Sequence, residues 1–181
     1  MAEELVVRFA TEADIEAVKT LYDEVVELDR GTEYDVLWRR NLHPSDASLE
    51  DAVKAGQLVL VEPAAGGALM GAGVVNSDFA CGYENVDWPA HLPLDQVRCL
   101  HLFCTHPSAR GRGAAKRLLR DMAALLKAQG VGAIRLDTFA HNTAARRLYE
   151  ACGYVYAGPG RMVYEDQDVA HMQFAMYELE L

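Results

Sequence analysis

The stretch between residues 97 and 130 most constrains the fold, because an apolar strand leads through a glycine-rich turn into an amphipathic helix. Val97–Thr105 is apolar at alternating positions on both faces, which is typical of a central strand buried on both sides. Pro107 ends this run. Residues 111–129 then repeat apolar side chains at helical spacing, and Gly130 follows the last of them. The pattern therefore predicts a central strand, a tight turn and a long helix in direct succession.

The sequence of the turn itself favours the binding of an anion. A helix N-terminus has free N–H groups and the positive end of the helix dipole. Gly111, Gly113 and Ala115 remove bulky side chains where a phosphate would approach. A Walker loop is excluded because Gly113 is not followed by Lys and Ser or Thr, and a dinucleotide fingerprint fails because Lys116 occupies its third glycine position.

Charge supports a local anion site in an acidic protein. The 181-residue chain has a net charge of −10, which argues against a nucleic-acid partner. Residues 106–127 nevertheless hold six bases and only one acid. Charge alone is consistent with two interpretations of this segment: a solvated helix face or a binding site for an anionic ligand.

The remaining pattern predicts one domain with a mixed sheet, in the order β-α-α-β-β-β-α-β-α-β-β. The predicted strands are 5–9, 58–62, 68–75, 97–105, 133–138, 154–156 and 170–179. The predicted helices are 15–30, 46–55, 111–129 and 142–152. Residues 77–96 lack a clear period and are interpreted as a functional loop, an extended hairpin or a contact between copies, which leaves a homodimer open.

Several classes of site are not expected. Four cysteines form no CxxC pair, which indicates reduced thiols in a cytoplasmic protein; they are Cys81, Cys99, Cys104 and Cys152. The sequence has no run of about 18 apolar residues, so we expect no membrane span. The N-terminus lacks the pattern of a secretory signal. The histidines have no metal-ligand spacing, so we expect no metal.

Two blocks carry a resemblance to a known family. Arg110-x-x-Gly113-x-Ala115 resembles the pyrophosphate signature of the GNAT superfamily of acyl-CoA-dependent N-acyltransferases. Residues 136–154 are similar to the family's second block, with Asn142, Tyr149 and a Gly-aromatic turn. The resemblance implies a single GNAT-like domain over residues 1–181. Its mixed α/β fold would have a mostly antiparallel sheet of six to seven strands, splayed in the middle, with about four helices on its faces.

The resemblance also implies acetyl-CoA as co-substrate. Main-chain groups of the fourth strand would hold the pantetheine arm, at Phe103, Cys104 and Thr105. The turn would hold the pyrophosphate, through Arg110, Gly111, Arg112, Gly113, Ala114 and Ala115. Asn142 matches a position that steadies the pantetheine arm; it is equally suited to capping the helix, and both roles can hold.

Catalytic roles follow from the same resemblance, with alternatives from the residues. Tyr149 matches the residue that protonates the leaving thiolate, although it also suits core packing. His101 suits a base acting through water, whereas water chains and carbonyls, or a satisfied core histidine, are the alternatives. A covalent route through Cys99 or Cys104 is the third option, against small core residues.

The acceptor side is implied to include Tyr34, Trp38, Tyr83 and Trp88, with Tyr164 from the last hairpin. Aromatic faces among carboxylates such as Glu33 and Asp35 favour binding of a cationic amine. Each acid taken singly is also consistent with an ordinary charged surface residue. We expect an N-acetyltransferase that acts on a primary amine of a small molecule by direct attack in a ternary complex. The alternatives are a non-catalytic acyl-CoA module and transfer to a protein N-terminus or lysine.

Overall fold

The computed structural model describes residues 3–161 and 172–181. Within them the chain forms seven strands and four α-helices in the predicted order. The strands are β1 (Leu5–Phe9), β2 (Leu58–Pro63), β3 (Gly71–Asn76), β4 (Val97–Thr105), β5 (Ala133–Phe139), β6 (Val155–Gly160) and β7 (Phe174–Glu180). The helices are α1 (Ile15–Asp29), α2 (Asp46–Lys54), α3 (Ala114–Ala128) and α4 (Thr143–Ala151).

One mixed sheet contains all seven strands, in the order β1-β2-β3-β4-β5-β7-β6. The pairs β1–β2, β2–β3, β5–β7 and β6–β7 are antiparallel, whereas β4 and β5 are parallel. The predicted mixed α/β fold is therefore confirmed. Within the described residues no helix is both long and apolar enough to cross a membrane.

The chain divides into two compact units, which we describe separately. Unit 1 comprises Met1–Val75 and His101–Met122, and unit 2 comprises Asn76–Leu100 and Ala123–Leu181. The division falls within β4 and within α3, so each of these elements contributes residues to both units.

The core of unit 1 is built on α1, whose apolar residues recur at helical spacing. Thr11 and Asp14 form a capping box before a single 3₁₀ turn that leads into α1. Val18 and Tyr22 are fully buried on this helix, and Leu58 and Leu60 of β2 are buried in the same apolar cluster. Burial of this stripe fixes which face of α1 points inward.

The central strand β4 departs from regular alternation at Leu102, whose φ is +51°. Its parallel pairing with β5 runs from Val97–Ala133 to Cys99–Arg135 and goes no further. Residues 101–103 are only half-buried, so burial on both faces does not extend along the whole strand as predicted. The irregular backbone at Leu102 lies in this part of the strand, and we call it the bulge of β4.

Residues 77–96 form no hairpin; they contain two short 3₁₀ turns within unit 2. A buried ion pair holds this segment, since Arg135 Nε lies 2.7 Å from Glu178 Oε2. Glu178 also accepts the N–H of Ala90 at 2.6 Å, and Arg135 donates to the Ala90 carbonyl at 3.1 Å. The guanidinium lies 4.5 Å from the centroid of the Trp88 ring. The extended-hairpin interpretation is therefore wrong, because tertiary contacts and not strand pairing fix the segment.

Some element bounds differ from the predicted ones. Helix α3 starts at Ala114 and not at residue 111, because Gly111 and Gly113 have left-handed φ values that a helix does not allow. Strand β6 is longer than predicted. The predicted start of the last strand at residue 170, and Tyr164, lie outside the described residues.

Candidate functional site

The predicted site residues are distributed over both units. Unit 1 contains the second half of β4, the turn before α3 and the segment after α1, with Tyr34 and Trp38. Unit 2 contains Asn142, Tyr149, Tyr83 and Trp88. We describe the two sets in turn.

The turn before α3 exposes its backbone. Gly111 and Gly113 have φ values of +74° and +84°, and a Cβ added at either would meet no atom within 4 Å. In the part of the chain that the structure describes, the N–H groups of Gly111, Gly113 and Ala114 donate to no backbone carbonyl. Because the turn precedes the N-terminus of a 15-residue helix, these N–H groups and the helix dipole suit an anion such as a diphosphate.

The two arginines of the turn are engaged with acidic side chains. Arg110 Nη2 lies 2.5 Å from Asp29 Oδ2, and its guanidinium lies 3.9 Å from the centroid of the Tyr34 ring. Arg112 pairs with the carboxylate of Glu3. The charge that the two arginines bring to the turn is therefore partly neutralised, whereas its backbone N–H groups are not engaged with backbone carbonyls in the described residues.

Tyr22 fixes the bulge in β4. Its hydroxyl donates a hydrogen bond of 2.7 Å to the carbonyl of Leu102, the residue with positive φ. Burial raises the pKa of Tyr22, so the hydroxyl stays protonated as a donor. Tyr22 lies on the buried face of α1, and no local signal in the sequence indicated this hydrogen bond.

Both cysteines of β4 are buried thiols. Burial raises the pKa of Cys104 to about 12 and raises the pKa of Cys99 as well. A thiol must ionise to act as a nucleophile, so burial opposes a covalent route at either position. His101, Phe103 and Thr105 are half-buried on the same strand.

The segment after α1 brings carboxylates and aromatic rings together. The carboxylate of Asp35 accepts the N–H groups of Gly31 and Leu37, each at 2.8 Å. The Trp38 ring lies 5.8 Å from the Tyr22 ring, and Tyr34 stacks on Arg110. Asp29 is buried among them and was missed by the sequence analysis. Its spacing of three and four residues from Val26 and Val25 places it on the apolar stripe of α1, and this was the available signal.

In unit 2, Tyr149 is buried in a cluster of tyrosine rings. Its centroid lies 5.7 Å from that of Tyr154 and 5.9 Å from that of Tyr177. Burial is the main cause that raises the pKa of Tyr149, so the phenol remains protonated at neutral pH. Asn142 caps α4, since its Oδ1 accepts the N–H of Ala145 at 3.1 Å.

Tyr83 and Trp88 are buried in the interior of unit 2. The Tyr83 hydroxyl donates to Asp137 Oδ1 at 2.9 Å and accepts from the Cys99 thiol at 3.1 Å. Trp88 Nε1 donates to the Tyr83 carbonyl at 2.9 Å. These contacts hold residues 83–88 in place, and an acceptor role for the two rings stays a prediction. Over residues 3–161 and 172–181, no group of three or more His, Cys, Asp or Glu residues is arranged to hold a metal ion.

The family model of the Acetyltransferase (GNAT) family matches residues 22–154, a span that includes both motif blocks. The chain belongs to this family. It is therefore an acyl-CoA-dependent N-acetyltransferase, and acetyl-CoA is its co-substrate. The open turn before α3 fits the diphosphate of that molecule. No curated protein matches the chain.

Solved structures with the same fold cover nearly the whole GNAT chain. A GNAT-family acetyltransferase of Listeria monocytogenes is 21% identical with a TM-score of 0.71, and covers 99% of this chain and 96% of its own. The yncA protein of Salmonella typhimurium, solved with acetyl-CoA, is 18% identical with a TM-score of 0.68, over 98% and 94%. The Escherichia coli ribosomal-protein-S18-alanine N-acetyltransferase is 16% identical with a TM-score of 0.63, over 98% and 94%. At these identities the likeness concerns the fold.

Proposed function

We propose that this GNAT enzyme acetylates a primary amine of a small molecule by direct attack in a ternary complex, within a single catalytic domain over residues 1–181. The observation that carries the acceptor class is the segment after α1, where Asp29 and Asp35 lie among aromatic side chains. Carboxylates and aromatic faces together attract an organic cation.

The proposed acetyl-CoA site uses mostly backbone. The N–H groups between Arg110 and Ala115 hold the diphosphate, which the left-handed glycines and the open space above them support. Main-chain groups of Phe103, Cys104 and Thr105 hold the pantetheine arm, and the positive φ of Leu102 interrupts the regular strand just before them. Asn142 contributes to the same arm while it caps α4.

The chemistry requires three tasks of the protein. Acetyl-CoA supplies a thioester, so that a C–N bond to the acetyl carbon forms while the C–S bond breaks. His101 accepts, through water, a proton that the acceptor ammonium must lose. The backbone N–H near Phe103 polarises the acetyl carbonyl as charge develops on its oxygen. Tyr149 donates to the leaving sulfur.

The protonation state of Tyr149 fits this last task. Because burial raises its pKa, the phenol is a hydrogen-bond donor over the whole physiological pH range. A raised pKa also makes complete proton transfer to sulfur less favourable. Tyr149 therefore stabilises the developing thiolate chiefly by hydrogen bonding, and the proton that finally reaches the sulfur can also come from water.

A panel of primary amines, amino acids and peptides tests the proposal. Release of the CoA thiol identifies active acceptors, and mass spectrometry verifies the gain of one acetyl group. We expect transfer to small amines with kcat/KM well above that for peptides. Transfer restricted to peptide N-termini or lysines, or saturable CoA binding without transfer to any amine, contradicts the proposal.

A protein N-terminus is the second candidate acceptor. It is favoured by the fold shared with an enzyme whose described substrate is the alanine of a ribosomal protein. In the same panel this candidate predicts that peptides beginning with alanine are acetylated at the α-amine and that simple diamines are not.

A further inference from the structure

A small recess in unit 1 lies beside the buried carboxylate of Asp29. We call it the Asp29 recess. Its lining residues come from the end of α1 and the segment that follows: Val25, Val26, Asp29, Asp35, Val36 and Trp38. Its volume is about 10 Å³, which is room for about one water-sized group. Three valines and a tryptophan make most of the wall apolar, and two carboxylates make it acidic.

Within residues 3–161 and 172–181, the carboxylate of Asp29 has one oxygen without a hydrogen-bond partner. Its side chain is 9% exposed, and Oδ2 pairs with Arg110. Oδ1 is buried and has no hydrogen-bond partner among the residues that the structure describes. Buried charged oxygens almost always have a donor, because their desolvation is otherwise uncompensated. An occupant that donates a hydrogen bond to Oδ1 would remove this deficit.

Charge and size restrict the occupant. Asp29 and Asp35 supply two negative charges, and Arg110 supplies one positive charge against Asp29. The balance favours a monovalent cation. A primary ammonium head is close to water in size and carries three N–H donors, whereas a planar guanidinium is too large for this volume.

This ammonium cannot be the reacting one. A nearby carboxylate favours the charged form and raises the pKa of the amine that it contacts. The amine that attacks a thioester must be unprotonated. A group held against Asp29 Oδ1 is therefore anchored as a cation while another amine of the same molecule reacts.

We propose that the Asp29 recess binds a second, non-reacting ammonium of the acceptor, so that the preferred acceptors are diamines or longer polyamines. The inference rests on the proposed function and specifies its substrate class. Asp29 selects the acceptor, and it takes no part in the acetyl transfer itself.

The test compares cadaverine with n-pentylamine, a diamine and a monoamine of the same chain length. In the wild-type enzyme we expect kcat/KM for cadaverine to exceed that for n-pentylamine by about tenfold or more, as a charge-assisted hydrogen bond provides. In Asp29→Asn this ratio should fall to about the twofold statistical advantage of two reactive ends, mainly through KM of the amine. Equal ratios in the wild type and the variant overturn the inference and assign the recess to water.

Matched variants separate the recess from other effects. Glu27→Gln removes a charge from an exposed position of α1, where Glu27 pairs with Arg30, and should leave the ratio unchanged. Val36→Leu narrows the recess without removing the Asp29 carboxylate and should lower the ratio. KM for acetyl-CoA is measured in parallel, because Asp29 also holds Arg110. A change in that KM with an unchanged ratio contradicts the inference and limits Asp29 to positioning Arg110.

The outcomes also distinguish the inference from the proposed function. Equal turnover of both amines by the wild-type enzyme leaves a small-amine acetyltransferase and rejects the second ammonium. Turnover of neither amine, with acetylation of peptides, rejects the proposed function and the inference together.

Discussion

The turn before α3 and the tyrosine cluster of unit 2 differ in whether their polar groups are exposed or buried. The turn has left-handed glycines, open space around them and N–H groups available to a ligand. The cluster consists of large rings, among which Tyr149 is buried against Tyr154 and Tyr177. The turn exposes its backbone to solvent, whereas the tyrosine cluster buries the Tyr149 hydroxyl group away from solvent.

The difference indicates which changes each region tolerates. A backbone site depends on φ values and on the absence of side chains, so charge changes nearby should have small effects. A buried phenol depends on one hydroxyl group and its desolvated surroundings, so removal of a single oxygen should have a large effect. The predictions below test this contrast, from the largest expected effect to the smallest.

Removal of the Tyr149 hydroxyl should have the largest effect. In Tyr149→Phe we expect kcat to fall about a hundredfold, as loss of a hydrogen-bond donor to a developing negative charge does, with little change in KM for acetyl-CoA. Steady-state kinetics by thiol release measures both. Tyr154→Phe is the control, because the Tyr154 hydroxyl is buried without a hydrogen-bond partner in the described residues. An equal loss in both variants would show that packing of the rings matters and not the Tyr149 hydroxyl.

A methyl group in the turn should weaken cofactor binding. In Gly113→Ala the methyl projects into open space that the diphosphate should occupy, and we expect CoA affinity to fall about tenfold to thirtyfold by calorimetry. Gly130→Ala is matched in strain, because the φ values of the two glycines are +84° and +83° and neither Cβ would meet an atom. Both variants should lose about 1–2 kcal/mol of unfolding free energy. Equal CoA affinities in the two variants would contradict a site at the turn.

Loss of the Tyr22 hydroxyl should loosen the bulge of β4. In Tyr22→Phe the Leu102 carbonyl loses its hydrogen bond, and we expect the free energy of unfolding to fall by about 1 kcal/mol. We also expect kcat/KM for acetyl-CoA to fall by about fivefold. Urea unfolding and kinetics measure the two effects, with Tyr156→Phe at an exposed position as control. A stability loss without any kinetic change would mean that the bulge does not position the pantetheine arm.

Neutralising Arg112 should have a small effect that depends on salt. Its partner Glu3 and its own side chain are both exposed to solvent. In Arg112→Gln we expect CoA affinity to fall about twofold at low ionic strength, and this difference should disappear at high salt because exposed charges are screened. Arg120→Gln, at an exposed position of α3, should show no change. A tenfold loss at high salt would assign the diphosphate to this side chain.

Alkylation of the buried thiols should have the smallest effect. Cys81 is exposed, whereas Cys99 and Cys104 are buried. A thiol with a pKa of about 12 is ionised to only about one part in ten thousand at pH 8, so Cys104 should resist iodoacetamide in the folded enzyme. Mass spectrometry should place the label on Cys81, with activity retained. Inactivation that follows labelling of Cys104 would favour a covalent route.

Elements with a strong local signal were predicted well from the sequence. Residues 5–9 and 97–105 agree with the observed strands to the residue, and Asn142 caps α4 as expected. Each of these signals involves residues within one turn or one strand. The prediction of α3 was three residues too long at its start because the left-handed φ of a glycine is not visible in a periodic pattern.

Contacts between distant residues could not be predicted in the same way. The family resemblance implied that Tyr83 and Trp88 lie on the acceptor side, whereas their burial against Asp137 and Arg135 depends on a loop that packs across unit 2. The sequence indicated Arg110 as charge for the anion, but not its partner Asp29, which lies 81 residues away. No periodicity reports on pairs of that separation.

By itself the sequence determined the family, the mixed sheet, the glycine turn and the caps, because these features depend on neighbouring residues and on backbone preferences that amino-acid types set directly. Only the tertiary structure decided which polar atoms are buried and with what they pair. Among the residues that the structure describes, Asp29 Oδ1 lacks a donor and the Leu102 carbonyl receives one from Tyr22, because α1 packs in one orientation on residues far along the chain. Burial and pairing are properties of that packing, and they set the chemistry that each side chain can perform.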